Sequence, residues 1–198
     1  MELNSLIQLM GWTKATLELR PEWGSEQKDY RRLLRQRLVE LCGNSAPAAP
    51  DQLMDLRRIP RVPGLSISVS HCPVVGGFLI VHNPFLTVGF DVEVAERITP
   101  EIENRMSLPG ERDRAPIPGA AWVAKEATFK ALIGTKQPKL VSAIETHSWI
   151  REKPAIWRFS ARVVSDSSAV VAGVLWAEDR LILGIAEKIP QLWSSDAR

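Results

Sequence analysis

Apolar and polar positions are most clearly patterned in the middle of the chain. The segments 64–70, 74–82 and 86–94 carry apolar residues at strand spacing, and the turn-forming runs HCP and HNP separate them. This pattern predicts three β-strands joined by short connections. Upstream, Tyr30, Leu33, Leu34, Leu38 and Leu41 recur at helical spacing. With Ser25 as N-cap and Gly43 just past the end, they predict a helix over 25–42. The run NSAPAAPDQ (44–52) reads as a loop. Residues 1–24 carry no decisive pattern.

The second half repeats the order. Thr99-Pro100 marks a helix start, with Thr99 as cap and Pro100 in the first turn. The stretch 108–119 holds three prolines and two glycines and reads as a loop. AAWVAKEATFKALI (120–133) predicts a second firm helix ending at Gly134. Strand-like segments follow near 140–150, 155–165, 169–177 and 180–187, with AEDR (177–180) as a hairpin turn and QLWSSDAR as a frayed tail. Helix then strands, twice, predicts an α+β protein of two similar lobes, 1–94 and 95–198, with a site at their junction.

Composition narrows the class. Of 198 residues, 45% are hydrophobic and 24% charged, as in ordinary globular proteins, and the net charge of +2 gives no bulk indication of nucleic-acid binding. The positive residues cluster in YRRLLRQR (30–37) and RRIPR (57–61), which suits an anionic ligand or an acidic partner surface, although either cluster alone reads better as a solvated basic face. Cys42 and Cys72 form neither a disulfide framework nor a metal pair, and the three histidines show no zinc spacing. No apolar run approaches a membrane span, and MELNSLIQLMGW lacks the form of a signal peptide. A cytoplasmic protein without membrane contact is expected.

Two carboxylates break the apolar pattern of TVGFDVEV (87–94). Asp91 and Glu93 lie two residues apart, so an extended chain points both to one face, opposite Val88, Phe90, Val92 and Val94. At about 5 Å and an effective dielectric of ~20 their repulsion costs roughly 3 kcal/mol. In the second helix Glu126 falls on the stripe of Trp122, Phe129 and Ile133, with Lys130 one turn on. On the helix alone, a surface Glu126–Lys130 pair accounts for it. Taken with the strand, three carboxylates call for a cation. An oxygen-only donor set points to Mg²⁺, Mn²⁺ or Ca²⁺ and to chemistry on a phosphate ester or anhydride.

The motifs resemble those of the 4′-phosphopantetheinyl transferases. VGFDVE is similar to that family's G-x-D-x-E strand, and WVAKEATFK, which begins after 28 intervening residues, to its W-x-x-K-E-A-x-x-K helix. SISVSHCP (66–73) resembles the family's S-H segment. DYRRLLRQRLVE (29–40) resembles the arginine-bearing helix of the longer, surfactin-type branch, and NRMSLPGE (104–111) echoes R-F-F-S-x-x-E. The resemblance runs in order from about 29 to 130. Departures are Val123 where the family has Ser, Thr or Cys, Met106 in place of the phenylalanine pair, and IGTKQPKL (133–140) in place of G-x-G-L.

The resemblance implies a monomeric pseudo-dimer of two helix-on-sheet lobes. It also implies transfer of the 4′-phosphopantetheine arm of coenzyme A to a serine of an apo acyl or peptidyl carrier protein. Asp91, Glu93 and Glu126 would bind Mg²⁺ (Mn²⁺ as substitute), and Lys130 the phosphates. Ser70, His71 and Arg31 would bind coenzyme A, Arg31 at the 3′-phosphate, where Arg32, Arg35, Arg57 and Arg58 are alternatives. Asp91, Glu126 and Lys130 form the expected catalytic set, with Glu126 or a metal-bound water as base. Lys125 would contact phosphate or stay on the surface. A metal-dependent phosphohydrolase and a non-catalytic coenzyme A- or carrier-binding paralogue are the competing readings.

Overall fold

The structure, a computed structural model, describes residues 3–43, 49–56, 59–134 and 137–188. Arg57, Arg58 and the tail 191–198 lie outside the described residues, as does 44–48 of the expected loop. The chain is α+β, with two antiparallel sheets and several helices.

The first sheet has the order β1-β3-β2, from β1 (Ala15–Arg20), β2 (Ser66–His71) and β3 (Gly76–Val81). Its helices are α1 (Leu3–Leu9), α2 (Tyr30–Cys42) and the short α3 (Ala49–Met54). Residues 1–24, undecided from sequence, thus supply a helix and an edge strand. Helix α2 starts at Tyr30, not at Ser25, with Asp29 at its N-cap position. Its inward face is Leu34, Arg35, Leu38 and Cys42, so Arg35 is buried where the apolar stripe predicts Leu41. Leu34, Leu38 and Cys42 pack on Phe78 and Ile80 of β3.

The second sheet runs β4-β8-β7-β6-β5, all neighbours antiparallel. Its strands are β4 (Val88–Val94), β5 (Ile144–Lys153), β6 (Ile156–Val163), β7 (Asp166–Glu178) and β8 (Leu181–Lys188). Three helices, α4 (Pro100–Met106), α5 (Glu111–Arg114) and α6 (Ala120–Ala131), connect β4 to β5. Thr99 caps α4 as expected, its hydroxyl accepting from the Ile102 N–H. The expected division after Val94 does not follow the sheets. Strand β4 gives its backbone ladder to β8, so the sheet boundary falls in the turn before Val88.

Both faces of this sheet are covered. Val88, Phe90, Val92 and Val94 join Val174, Trp176, Leu183 and Ile185 against Leu17, Leu79 and Val81 of the first sheet. On the other face Leu175, Ile182 and Ala186 meet Val123, Ala124, Ala127 and Ala131 of α6. The core face of α6 is therefore mostly alanine, whereas Trp122 and Phe129 are only partly buried on its flank. Small residues let helix and sheet approach closely. A Cβ on Gly89 would collide with the Ala127 carbonyl oxygen and stand 2.6 Å from the Ala131 nitrogen. The glycine of the G-x-D-x-E strand is required by packing.

The free edge of β4 faces β2 without a backbone ladder to it. Instead Ser66 Oγ accepts from the Val88 N–H at 3.0 Å and Ser68 Oγ from the Phe90 N–H at 2.9 Å. The alternating serines of SISVS thus supply side-chain acceptors along an edge that would otherwise bury unpaired N–H groups.

Candidate active site

Asp91 and Glu93 project from β4 on the same side as Gly89, the side against which α6 packs. This agrees with the alternation read from sequence. Their surroundings differ from a bare acidic pair. Asp91 is 7% exposed, accepts from Ser70 Oγ at 2.7 Å and is ion-paired with Lys130 Nζ at 2.8 Å. Lys130 Nζ also donates to Ser70 Oγ at 3.0 Å and to the Phe90 carbonyl at 3.0 Å. All three ammonium protons are thereby engaged. The Lys130–Glu126 surface pair read from the helix alone gives way to this cross-lobe contact. Ser70, Asp91 and Lys130 come from β2, β4 and α6 and meet at one point.

Glu93 turns elsewhere. Arg97, in the short 3₁₀ turn after β4, reaches its two oxygens at 3.1 and 3.3 Å, and the Val94 N–H donates to Oε1 at 2.8 Å. Glu126 is half-buried, and its carboxyl is pushed above the usual range by burial first and by Asp91 and Glu93, with Lys130 opposing. That is the signature of surplus negative charge in a confined space. Among the described residues, no group of three His, Cys, Asp or Glu side chains is placed to hold a metal ion. The donor set fits a hard divalent cation in kind, since it is oxygen-only and Glu126 has no ion-pair partner among the described residues. To use it, Asp91 and Glu93 must leave Lys130 and Arg97.

The basic helix contributes a second feature. Tyr30 stands edge-on to His71, with ring centroids 4.7 Å apart, and its hydroxyl lies 3.3 Å from His71 Nε2. Arg31 Nε donates to the same hydroxyl at 2.9 Å. Tyr30, Arg31, Leu34, Arg35, Leu56, Val69 and His71 line a cavity of about 170 Å³. Burial, then Arg31 and Lys130, push the His71 imidazole below its ordinary value and keep it neutral near pH 7. Burial likewise lowers Arg35, against Asp55. Arg32 instead lies 3.9 Å from Asp29, outside this cavity.

Val69 is also part of a larger cleft of about 730 Å³, within the range of small-molecule sites. Segment 59–69, the 84–88 turn and Lys130, Ile133 and Gly134 form its walls. Arg61 and Lys130 are the only charged groups among its described lining residues, so it favours a ligand that is anionic and otherwise apolar.

Lys125 corrects an expectation. It neither reaches phosphate nor lies on the surface, but is fully buried, with Nζ 2.6 Å from Glu111 Oε2 and donating to the Met106 carbonyl at 2.7 Å. Glu111 in turn accepts from the Leu108 and Thr146 N–H groups and from Thr146 Oγ1. Glu103 of α4 accepts from the Gly119 N–H at the start of α6. These contacts tie α6 to the 103–111 segment and so fix where Glu126 and Lys130 stand. Val123 is fully buried toward Gly184, on the sheet side of α6.

Sequence reading misses Tyr30, Arg97, Ser66 and Ser68 as parts of this site, and names Arg35 only as an alternative to Arg31. Only Arg97 left a local trace, four residues after Glu93. A scan of protein-family models matches none of them to this chain, and a search of curated proteins finds no match.

Proposed function

We propose that the protein is a 4′-phosphopantetheinyl transferase. In this reading it moves the phosphopantetheine arm of coenzyme A onto a serine hydroxyl of an apo carrier protein and releases adenosine 3′,5′-bisphosphate. The observation that carries the reading is the meeting of three separated motif segments: Ser70, Asp91 and Lys130 lie within 3.0 Å of one another across two sheets and a helix. The two sheets, each backed by a helix and joined at that point, support the pseudo-dimer interpretation of the fold.

Coenzyme A carries its charge at two places, a 3′-phosphate and a pyrophosphate. The cavity of Arg31, Arg35 and His71 takes the 3′-phosphate, whose arrival supplies the opposite charge that favours the imidazolium of His71. The pyrophosphate lies by Lys130. Asp91, Glu93 and Glu126 would hold Mg²⁺, which supplies charge neutralisation at the pyrophosphate when bound. The carrier serine oxygen forms a bond to the phosphorus bearing the pantetheine arm, and the anhydride bond on its far side breaks. The serine proton passes to Glu126, the one of the three carboxylates without an ion-pair partner among the described residues. Lys130 meets the charge that develops on the departing phosphate.

The test is direct. The protein is incubated with coenzyme A, Mg²⁺ and a panel of apo carrier proteins, and each carrier is weighed by intact mass spectrometry. A phosphopantetheine increment is expected, reduced at least about 100-fold in rate by Asp91→Ala or Glu126→Gln. Coenzyme A binding with no increment on any carrier would replace the reading with a binding paralogue. Phosphate release from coenzyme A without a carrier would replace it with a phosphohydrolase.

A further inference from the structure

Each carboxylate of β4 is occupied by a cation that belongs to the chain itself. Lys130 spends all three of its protons on Asp91, Ser70 and the Phe90 carbonyl. Arg97 brackets both oxygens of Glu93. The two cations differ in reach and setting: the Arg97 side chain is 55% exposed and that of Lys130 22%. Among the described residues, these two cations face three carboxylates, Asp91, Glu93 and Glu126, and leave one formal negative charge. A bare divalent ion therefore finds little net attraction and must displace two tethered competitors that already sit on its ligands.

A pyrophosphate changes this balance. It offers Lys130 and Arg97 new oxygens to bind, both on flexible stems, and adds negative charge beside the carboxylates they vacate. We infer that Arg97 and Lys130 are exchangeable counter-ions, so that the divalent cation enters this site together with a pyrophosphate-bearing ligand and not ahead of it. The inference rests on the transferase reading only for the identity of that ligand. Arg97 acts on the cation through Glu93 and is a positioning residue.

Mn²⁺ serves as the probe, its free concentration read by electron paramagnetic resonance, with the wild type titrated alone, with inorganic pyrophosphate and with coenzyme A. Ligand-only blanks correct for Mn²⁺ bound in solution. Mn²⁺ should bind about tenfold or more tightly with either ligand, and by linkage each ligand should gain the same factor from Mn²⁺. Arg97→Gln should tighten Mn²⁺ alone several-fold and shrink the coupling, while Arg97→Lys stays near wild type. Circular dichroism checks that each variant is folded. Equal Mn²⁺ affinity with and without pyrophosphate, or an Arg97→Gln titration superimposable on wild type, overturns the inference. Failure of coenzyme A alone to bind would count against the transferase reading, and the pyrophosphate arm would still decide this one.

Discussion

Helix α6 carries two lysines five residues apart, and each is paired with a carboxylate, yet the two pairs are unlike. Lys125 and Glu111 are sealed, with side chains 1% and 0% exposed, and every oxygen of Glu111 is met by a further donor. Lys130 and Asp91 are partly open, at 22% and 10%, beside a cleft. A sealed pair is held by a medium in which neither partner can find a substitute, so it behaves as architecture. A half-open pair can trade partners with an incoming anion or cation, so it behaves as equipment. Burial separates their roles more surely than the residue types do.

The comparison can be broken in three ways. The largest effect is expected for Lys125→Met, which strands Glu111 as an unpaired buried charge and should cost about 3–5 kcal/mol in urea unfolding. Removing both partners, as Lys125→Met with Glu111→Leu, should recover most of that loss. If the double variant is no better than the single one, the pair is not acting as a closed unit. Lys130→Met should cost far less, about 1 kcal/mol, because Asp91 keeps Ser70 and can take up water, while the proposed transfer activity falls with it. A stability loss as large as that at Lys125 would erase the distinction.

The smallest effect concerns a third carboxylate, one with no cation paired to it among the described residues. Glu187 on β8 accepts from Trp12 Nε1 at 2.7 Å, and burial pushes its carboxyl above the ordinary value of 4.5 although the indole opposes the shift. A carboxyl raised in the folded state lends its full stability below the unfolded pKa and loses it as pH rises through the folded one. Glu187→Gln keeps an acceptor for Trp12 without the charge. It should match wild type near pH 4 and exceed its Tm by about 2 °C at pH 7. A variant no more stable than wild type at pH 7 would mean that the buried charge is compensated.

Local pattern revealed the elements that local forces decide. The strands 66–71, 76–81 and 88–94, the cap at Thr99 and the helix from Ala120 follow from alternation, capping and spacing within a few residues. What escaped depends on partners far along the chain. SISVS reads as one apolar and one solvated face, but its serine face is spent on β4, 22 residues away. Tyr30 looks like the start of an apolar stripe until its hydroxyl meets His71, 41 residues on. Lys125 and Lys130 both look like surface lysines of an amphipathic helix. The alanine face of α6 turns one of them into the interior and the other toward the junction.

The serine-lined border between the sheets has a consequence for solubility. Strand β4 ends a five-stranded sheet, and a bare edge of that kind is a template on which another chain can lay a strand. Hydroxyls of β2 occupy its outward N–H groups at Val88 and Phe90. Because hydroxyls, unlike a further backbone ladder, impose no continuous register, they close the edge without fusing the two sheets into one. The amino-terminal half is thus also a guard against aggregation: a chain beginning at Val88 would keep the carboxylates and the helix but present an adhesive edge to its neighbours.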